Sequence, residues 1–423
     1  MSEQQTVSES ALIQSKAQQS FGQYMRAWWG RIRSGDLGQL PVVLGLVLIC
    51  LVFQWANPLF LTPGNLVNLL VQAAPVITIG FGVVIILLLG EIDLSMGYTA
   101  GVTAVVIALL LRAPIVIEGV TSVEGFTVPW YLALLLGLLA AVAIGLVQGF
   151  FVTVFKLPSF IVTLAGQLAL SGVVLLTVKG LGTLSMRDPV ILGSTRAFLS
   201  PEVGVIFGVV IVVGYAASEI VGRNARRKSG LNAKPIEVIA IQTVVMAAAM
   251  ALLVIIANQD RGIPVGFVLV MGMLVALGYL TTQTKFGRYL FAVGGNKEAA
   301  RRAGIAVERI RLYGFMLGSL MAGVGGVFVL ARLGSVATST GGGPLLLNSI
   351  AAAVIGGTSL FGGNGKMSSA LLGGLIIACV DNGLGLIPNI PADARLILTA
   401  GILIISVIVD SLTRRNQARS GVR

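Results

Sequence analysis

From its amino end the chain alternates long apolar runs with short polar or charged connections. The runs lie at Leu40 to Trp55, Leu66 to Leu89, Tyr98 to Leu111, Pro129 to Phe155, Leu157 to Val178, Val203 to Val221, Val238 to Ala257, Pro264 to Thr281, Leu312 to Ala331, Leu345 to Phe361, Met367 to Ile387 and Leu396 to Leu412. About 20 apolar residues cross the hydrocarbon core of a bilayer as a helix, so the pattern predicts about twelve spans. The expected fold is all-α, a polytopic transmembrane helix bundle with some broken helices.

Small residues recur inside the runs at helical spacing. Gly137, Ala141, Gly145 and Gly149 stand four apart, as do Gly314, Gly318, Ala322 and Gly326. Such faces let helix backbones approach closely in lipid, which predicts tight packing and no particular activity. Other positions interrupt the runs: Gln72 with Pro75, Pro158 with Ser159, Asn348, and Asp381 with Asn382. Irregular backbone at membrane depth is tolerated only against protein or a water-filled cavity. These residues therefore either line a polar path or tie helices together.

Composition narrows the function. Of 423 residues, 56% are hydrophobic and 11% charged, where a soluble domain has about a quarter charged. No sequence is left for a separate catalytic domain, and an enzyme is not expected. The chain has no histidine, which removes imidazole bases, Ser-His and Cys-His nucleophiles and His-ligated metals. Cys50 and Cys379 both lie in apolar runs, so neither a disulfide framework nor a Cys-rich metal site is expected. No cofactor is expected either.

The net charge of +12 is topological and does not imply nucleic acid. With the amino end inside, 22 of the 29 Lys and Arg residues fall on one side of the membrane, among them Arg223, Arg226, Arg227, Lys228 and Lys234 in one connection and Lys285, Arg288, Lys297, Arg301, Arg302, Arg309 and Arg311 in another. Basic residues accumulate in cytoplasmic loops, so both termini are expected in the cytoplasm. The expected organisation is a cytoplasmic tail over residues 1–38, a membrane domain over 39–412 and a basic cytoplasmic tail over 413–423. The first tail lacks the short apolar core of a cleavable signal, so the first span should remain as an anchor. Within that tail Phe21, Tyr24, Trp28 and Trp29 interleave with Arg26, Arg31 and Arg33. That composition suits either a short helix lying on membrane lipid or a disordered segment.

The most informative connection runs from Gln283 to Arg311. At its centre Asn296 is a good N-cap, Glu298 falls in the first turn, Ala299 and Ala300 favour helix, Arg301 and Arg302 follow, and Gly304 can close the helix in the left-handed conformation. A two-turn basic helix with both caps, on a cytoplasmic loop, reads either as a solvated positive loop or as an element that docks into another protein. Only the second accounts for the caps.

Here the sequence resembles a known family. Gly287-Arg288-Tyr289-Leu290-Phe291-Ala292-Val293-Gly294-Gly295-Asn296, followed by Glu298-Ala299-Ala300-Arg301 and Ala303-Gly304-Ile305, is similar to the coupling-helix signature of membrane permeases in monosaccharide ABC importers. Gly90-Glu91-Ile92-Asp93-Leu94-Ser95-Met96-Gly97 resembles the family's G-x-I-D-L-S-x-G element, and Pro158-Ser159-Phe160-Ile161-Val162-Thr163-Leu164 its P-x-F-I-x-T-L element. Ile355-Gly356-Gly357-Thr358-Ser359-Leu360-Phe361-Gly362-Gly363 resembles its later glycine element. The stretch Val203 to Asn258 and the variant Glu91 look like the D-xylose branch of the ribose, xylose and galactose family. Lys366 departs from the pattern.

The resemblance implies a permease in the inner membrane, and a second permease copy, as a homodimer, completing the pathway. It further implies a cytoplasmic ABC ATPase engaging Gly295, Asn296, Glu298, Ala299, Ala300, Arg301 and Gly304, and a periplasmic sugar-binding protein docking outside. The chain itself has no phosphate-binding loop: its only Gly-Lys pair, Gly365-Lys366, has Leu360 where the first glycine belongs and Met367 where the hydroxyl belongs. ATP hydrolysis must reside in another polypeptide.

Glu91 and Asp93 are intramembrane carboxylates, a functional signal by default. With Ser95, Gln72, Ser159, Thr163, Asn348 and Asn382 they are the candidates for a translocation path, although Asp93 and Ser95 could instead cap the helix beginning near Gly97. Asp410 reads as a paired or snorkelling surface residue. On the outside, Arg187 and Arg196, with Asp188 and Glu202, form the most charged loop and the candidate docking site for a binding protein; Glu118 and Glu124 mark another loop. Two other classes remain: an ion-coupled secondary sugar transporter, with Glu91 and Asp93 as its ion site, and a membrane scaffold.

Overall fold

The computed structural model describes residues 20–33, 38–112, 115–117, 120–123, 128–179, 182–388, 391, 394, 396–401 and 404. Most of the last expected span, together with Glu118, Glu124, Asp410 and the tail 413–423, lies outside the described residues.

The helices in chain order are α1 (Phe21–Arg33), α2 (Leu40–Ala56), α3 (Pro63–Leu88), α4 (Met96–Leu110), α5 (Trp130–Thr153), α6 (Ser159–Val178), α7 (Pro189–Arg196), α8 (Pro201–Lys228), α9 (Ile236–Asn258), α10 (Val265–Gln283), α11 (Lys285–Gly295), α12 (Lys297–Arg302), α13 (Val307–Leu333), α14 (Pro344–Ile355) and α15 (Met367–Leu386). Two short antiparallel strand pairs accompany them among the described residues, β1 (Ile115–Ile117) with β2 (Val120–Val123) as a hairpin, and β3 (Thr183–Ser185) with β4 (Ser335–Ala337) from distant parts of the chain. Among the described residues eight helices, α3, α5, α6, α8, α9, α10, α13 and α15, are long and apolar enough to cross a membrane.

Two expected spans are too short. α4 has 15 residues and α14 has 12; at 1.5 Å per residue these are about 22 and 18 Å, against roughly 30 Å of hydrocarbon. The α14 run was lengthened in the sequence by the non-helical Gly356 to Phe361, whereas the α4 run, Tyr98 to Leu111, was already short of a full span.

The interruptions also fall differently from expectation. α3 continues through Pro75, and Asn348, Asp381 and Asn382 sit inside α14 and α15. Proline removes one helical hydrogen bond, which a well-packed 26-residue helix survives, and the polar side chains find partners across helices. Asn348 donates to Asp381 at 3.1 Å, and Asn65 and Asn382 exchange hydrogen bonds of 2.8 and 3.0 Å. Only Pro158-Ser159 marks a helix boundary, between α5 and α6.

The chain divides into two compact units. One contains the described residues of the amino-terminal segment and Leu199–Ile263. In it α8 and α9 form an antiparallel pair closed at its ends by the Leu199 N–H donating to the Ile263 carbonyl (2.9 Å) and near its turn by Lys234 with Glu219 (2.7 Å). α1 opens on a capping box: the Ser20 hydroxyl accepts from the Gln23 N–H and the Gln23 side chain accepts from the Ser20 N–H. Its Phe21, Met25, Trp28 and Trp29 are exposed, so the aromatic segment is a helix with an uncovered apolar surface.

The other unit, Gly38–Phe198 with Pro264–Asp410, is organised around α13. The two small-residue stripes serve different neighbours. On α5, a Cβ at Gly145 would lie 2.5 Å from the Phe315 carbonyl oxygen, and one at Gly149 would lie 2.8 Å from Leu312. The α13 stripe turns the other way: Gly314 and Gly318 lie against Leu89 and Ile86 at the end of α3, and Gly326 against the Ala100 backbone of α4. α13 is thus packed from several sides, with Phe315, Ala322, Leu330 and Ala331 fully buried.

Although 329 residues apart in sequence, Cys50 on α2 and Cys379 on α15 bring their thiols within hydrogen-bonding reach, both free. The pair tests the packing. Mild oxidation of intact membranes should protect both thiols from alkylation together, and single Cys→Ser variants should lose that protection. Independent reactivity of the two would show that α2 does not lie on α15.

Candidate functional site

Three glycine-rich motifs, far apart in sequence, meet at one backbone junction. The first follows α3, which ends in a paired-carbonyl motif: the Gly90 N–H donates to Leu87 at 2.9 Å and the Glu91 N–H to Ile86 at 3.2 Å. This needs Gly90 at φ +68°, a conformation costly for a residue bearing a Cβ. The second is the end of α11, a helix capped by the Thr284 hydroxyl accepting from the Gly287 N–H at 3.2 Å. The third is the loop after α14, whose Gly363 N–H donates to the Leu88 carbonyl at 3.0 Å. A Cβ on Gly294 would overlap that Leu88 oxygen, one on Gly362 would lie 2.6 Å from the Gly294 oxygen, and one on Gly363 would lie 2.8 Å from Gly295 Cα. Backbone packs on backbone here, with no room for side chains.

Charge holds the junction as well. The Glu91 carboxylate, 5% exposed, accepts from Lys297 Nζ at 2.7 Å and from Arg311 Nε and Nη2 at 2.9 and 2.7 Å. One carboxylate therefore ties the end of α3 to α12 through Lys297 and to α13 through Arg311. The structure pairs Glu91 with Lys297 and Arg311 of the connection from Gln283 to Arg311. Sequence separation of more than two hundred residues hid this pairing.

α12 has the expected caps. The Asn296 side chain accepts from the Ala299 N–H at 2.9 Å, and the helix ends with the Gly304 N–H donating to Arg301 at 3.0 Å and the Ile305 N–H to Ala300 at 3.1 Å. Gly304 has φ +80°. Gly295, Asn296, Glu298, Ala299, Arg301, Arg302, Ala303 and Gly304 are exposed. Arg301 bridges Glu298 and Glu308; hydrogen bonding to Glu308 and the charges of both carboxylates hold its guanidinium above the usual value. The exception to this exposure is Ala300, which is buried in the same core as Leu290, Val293, Val307 and Ile310. A face expected to be available to a partner at Ala300 is therefore covered by this chain, and Ala299 and Ala303 are the open small residues. Beside the junction, Phe361 is 92% exposed and Leu360 43%. Phe361, the expected end of a span, is instead a loop tip; hydropathy alone does not tell an apolar loop tip from a helix terminus.

Behind the junction, the extended segment Glu91 to Ser95 is satisfied by side chains of α5 and α6. Ser159 Oγ accepts from the Ile92 N–H (3.3 Å), and Thr163 Oγ1 accepts from the Leu94 N–H (3.1 Å). Asp93 Oδ1 accepts from the Ser95 N–H and hydroxyl at 2.8 and 2.6 Å, and Gln148 Nε2 donates to the Ser95 hydroxyl at 2.7 Å. Asp93 thus steadies the turn into α4, whose N-cap Ser95 makes no side-chain capping bond of its own. Its second oxygen is buried without a partner.

At the far ends of α3 and α13 lies a cavity of about 380 Å³ whose lining includes Gln72, Arg332, Ser339 and Thr340. Asn348 and Asn382 face Asp381 and Asn65. Arg187 precedes α7 and Arg196 is its last residue, both exposed, while Asp188 is used as that helix's N-cap, accepting from the Val190 and Ile191 N–H groups at 3.0 Å.

Membrane-length apolar helices, two half-length helices meeting irregular backbone, and an exposed doubly capped helix define a polytopic membrane transport protein. The chain belongs to the family described as branched-chain amino acid transport system / permease component, whose family model matches residues 65–407. It is a permease and not an enzyme, a multi-pass protein of the inner membrane. It is 32% identical over 391 residues to the xylose transport system permease protein XylH of Escherichia coli K12, covering 91% of this chain and 94% of that one. It is likewise 32% identical to the XylH of Haemophilus influenzae over 91% and 99% of the two chains. Against the ribose import permease protein RbsC of Bacillus subtilis it is 29% identical over 89% and 94%. No solved structure matches it significantly.

Proposed function

We propose that this chain is the membrane-spanning subunit of an ATP-driven ABC importer for a monosaccharide, a xylose-type pentose or a related hexose, powered by a separate ATPase. The observation that carries this reading is the junction: an exposed, doubly capped helix anchored by glycine packing and by Glu91 to the ends of α3 and α13. A rigid element so placed can pass the motion of a cytoplasmic partner to helices that run the depth of the bundle. The ATPase engages Gly295, Asn296, Glu298, Ala299, Arg301 and Gly304, with Ala300 seating α12 from beneath. The similarity to xylose and ribose permeases supports a sugar as cargo.

In this reading both termini lie in the cytoplasm, a membrane domain over 39–412 stands between cytoplasmic tails with α4 and α14 as half-length helices within it, and a second copy completes the pathway. α1 lies on the lipid surface through its exposed aromatic residues. Cysteines introduced at Arg226 and Arg301 should react with impermeant thiol reagents only from the cytoplasmic side, in a variant whose own two cysteines are serine. Labelling of either from outside would sink the orientation.

Outside, a sugar-binding protein docks across Arg187 and Arg196, where complementary charge sets register more than affinity. Reversing both to Glu should reduce binding-protein-stimulated ATP hydrolysis at least fivefold at low salt, with assembly intact; unchanged stimulation would remove them from the docking face.

One observation favours an ion-coupled carrier: the partnerless buried oxygen of Asp93. Glu91, neutralised by two cations, does not support it. Purified permease in proteoliposomes decides between them. Uptake that requires the ATPase and ATP, and survives a protonophore, is expected; uptake by the permease alone under an ion gradient would overturn the importer reading.

A further inference from the structure

The loop from Gly356 to Lys366, between α14 and α15, does more than complete the glycine junction. Its tip is Leu360-Phe361, and Phe361 is 92% exposed, so that its ring meets little of its own chain. A single exposed apolar residue is ordinary. What sets this one apart is how its backbone is held. The Ser359 N–H donates to the Asn364 carbonyl at 2.8 Å, closing the loop across its base, and the Phe361 N–H donates to Ser359 Oγ at 3.2 Å. Below the tip the loop is seated on the junction. The Gly363 N–H donates to the Leu88 carbonyl, a Cβ on Gly90 would lie 3.4 Å from the Phe361 carbonyl oxygen, and one on Gly362 would lie 2.6 Å from the Gly294 oxygen. The backbone that carries the ring is therefore fixed on both sides while the ring itself is open, a bracing that a loop merely joining two helices does not need.

The surroundings of the tip indicate what covers it. Gly362 rests on Gly294 and Gly363 on Gly295, the two residues before Asn296, which is the N-cap of α12. Phe361 thus stands one residue along the chain from a contact with the segment that leads into the exposed, doubly capped helix. The open residues of that helix, Asn296, Glu298, Ala299 and Arg301, are polar or small. They can form the rim of an interface but offer no large apolar anchor, whereas protein interfaces place aromatic residues at their core inside a polar rim. Asn364 and Lys366, both exposed, flank the tip on its other side, so its neighbours are polar, unlike those on a lipid-facing helix.

We propose that Phe361, with Leu360 beside it, is a second anchor for the cytoplasmic ATPase, an aromatic plug that enters an apolar pocket of that subunit next to the groove that takes α12. This rests on the importer reading above. The two contacts then have different tasks. α12 is tied through Lys297 and Glu91 to the end of α3 and carries motion. The Phe361 ring, which braces nothing in its own chain, contributes affinity, in the way that a few central aromatic residues carry most of the binding energy of an interface.

The test titrates purified ATPase subunit onto the permease in lipid nanodiscs. Separately, a benzophenone amino acid replaces Phe361 in the complete importer, permease with ATPase and binding protein, for photo-cross-linking. Phe361→Ala should weaken ATPase binding tenfold or more, and Phe361→Leu less than threefold, because an apolar side chain of similar reach still fills a pocket. Thermal unfolding of the permease alone should be the same in both variants as in the unaltered protein, since the ring is already open. Saturating ATPase should bring sugar uptake by Phe361→Ala to within twofold of normal, which loss of a motion-carrying contact would not allow. Irradiation should join position 361 to the ATPase. Binding within twofold of normal in Phe361→Ala overturns the anchor. Cross-linking to lipid alone, which puts the tip in the bilayer, or to a second permease copy, which makes it a subunit interface, overturns it as well. Failure of the importer reading would show instead in the unaltered permease, which would bind no ATPase and take up sugar without it.

Discussion

Replacing Ala299 by tryptophan should leave the permease inserted and folded but strip the ATPase from it. Ala299 is exposed on α12, and alanine to tryptophan in a helix costs about 0.5 kcal/mol in propensity. The chain's own stability is therefore barely changed. Against a close-packed partner groove, the added indole costs about 1–3 kcal/mol or more, which is roughly fivefold to more than a hundredfold in affinity. The expected result is normal membrane expression, loss of ATPase on co-purification and loss of sugar uptake. Ala300→Trp would not make the same point. Ala300 is buried beneath α12, so a tryptophan there would disrupt this chain's own packing, and a loss of coupling would have two causes. If Ala299→Trp retains the ATPase and transports at the normal rate, α12 is a solvated loop and the coupling role is wrong.

The contrast between Ala299 and Ala300 shows where the sequence stopped being informative. Capping of α12 was legible because caps are local: Asn296 reaches an N–H three residues on, and Gly304 serves its own turn. The membrane-length helices were legible for the same reason, since each satisfies its backbone within one apolar run. What could not be read is what depends on distant partners. Pro75 looked like a break because a proline's local cost is visible and the packing that carries α3 past it is not. Asn348, Asp381 and Asn382 looked like interruptions because their partners lie on other helices. α14 looked like a full span because hydropathy counts the non-helical Gly356 to Phe361 beside it, and nothing local tells that Ser159 and Thr163 satisfy the extended Glu91–Ser95 backbone before α4 from another helix. The three glycine motifs were each visible, but their meeting at Leu88, Gly294 and Gly363 is a property of the fold.

Glu91 was the largest relocation, and it gives the sharpest test of the junction. Glu91→Gln removes the negative charge shared by Lys297 and Arg311 while keeping the side chain's shape. Breaking one member of a buried ion pair costs about 3–5 kcal/mol. Lys297 is 41% exposed and can turn to solvent, so most of the loss falls on Arg311, which is 15% exposed; the net cost belongs at the low end of that range. α12 keeps its caps, so the ATPase should remain bound and hydrolyse ATP. Motion of α12 would then no longer be held to the end of α3, and sugar uptake per ATP should fall tenfold or more. Reversing the pair, Glu91→Lys with Lys297→Glu, should restore part of the coupling that either single reversal abolishes, although Arg311 keeps the rescue incomplete. If Glu91→Gln transports with normal coupling, the carboxylate is not a transmission contact. If it sheds the ATPase or fails to insert, Glu91 holds the fold together, and the motion reaches α3 through the glycine packing of Gly294 on Leu88.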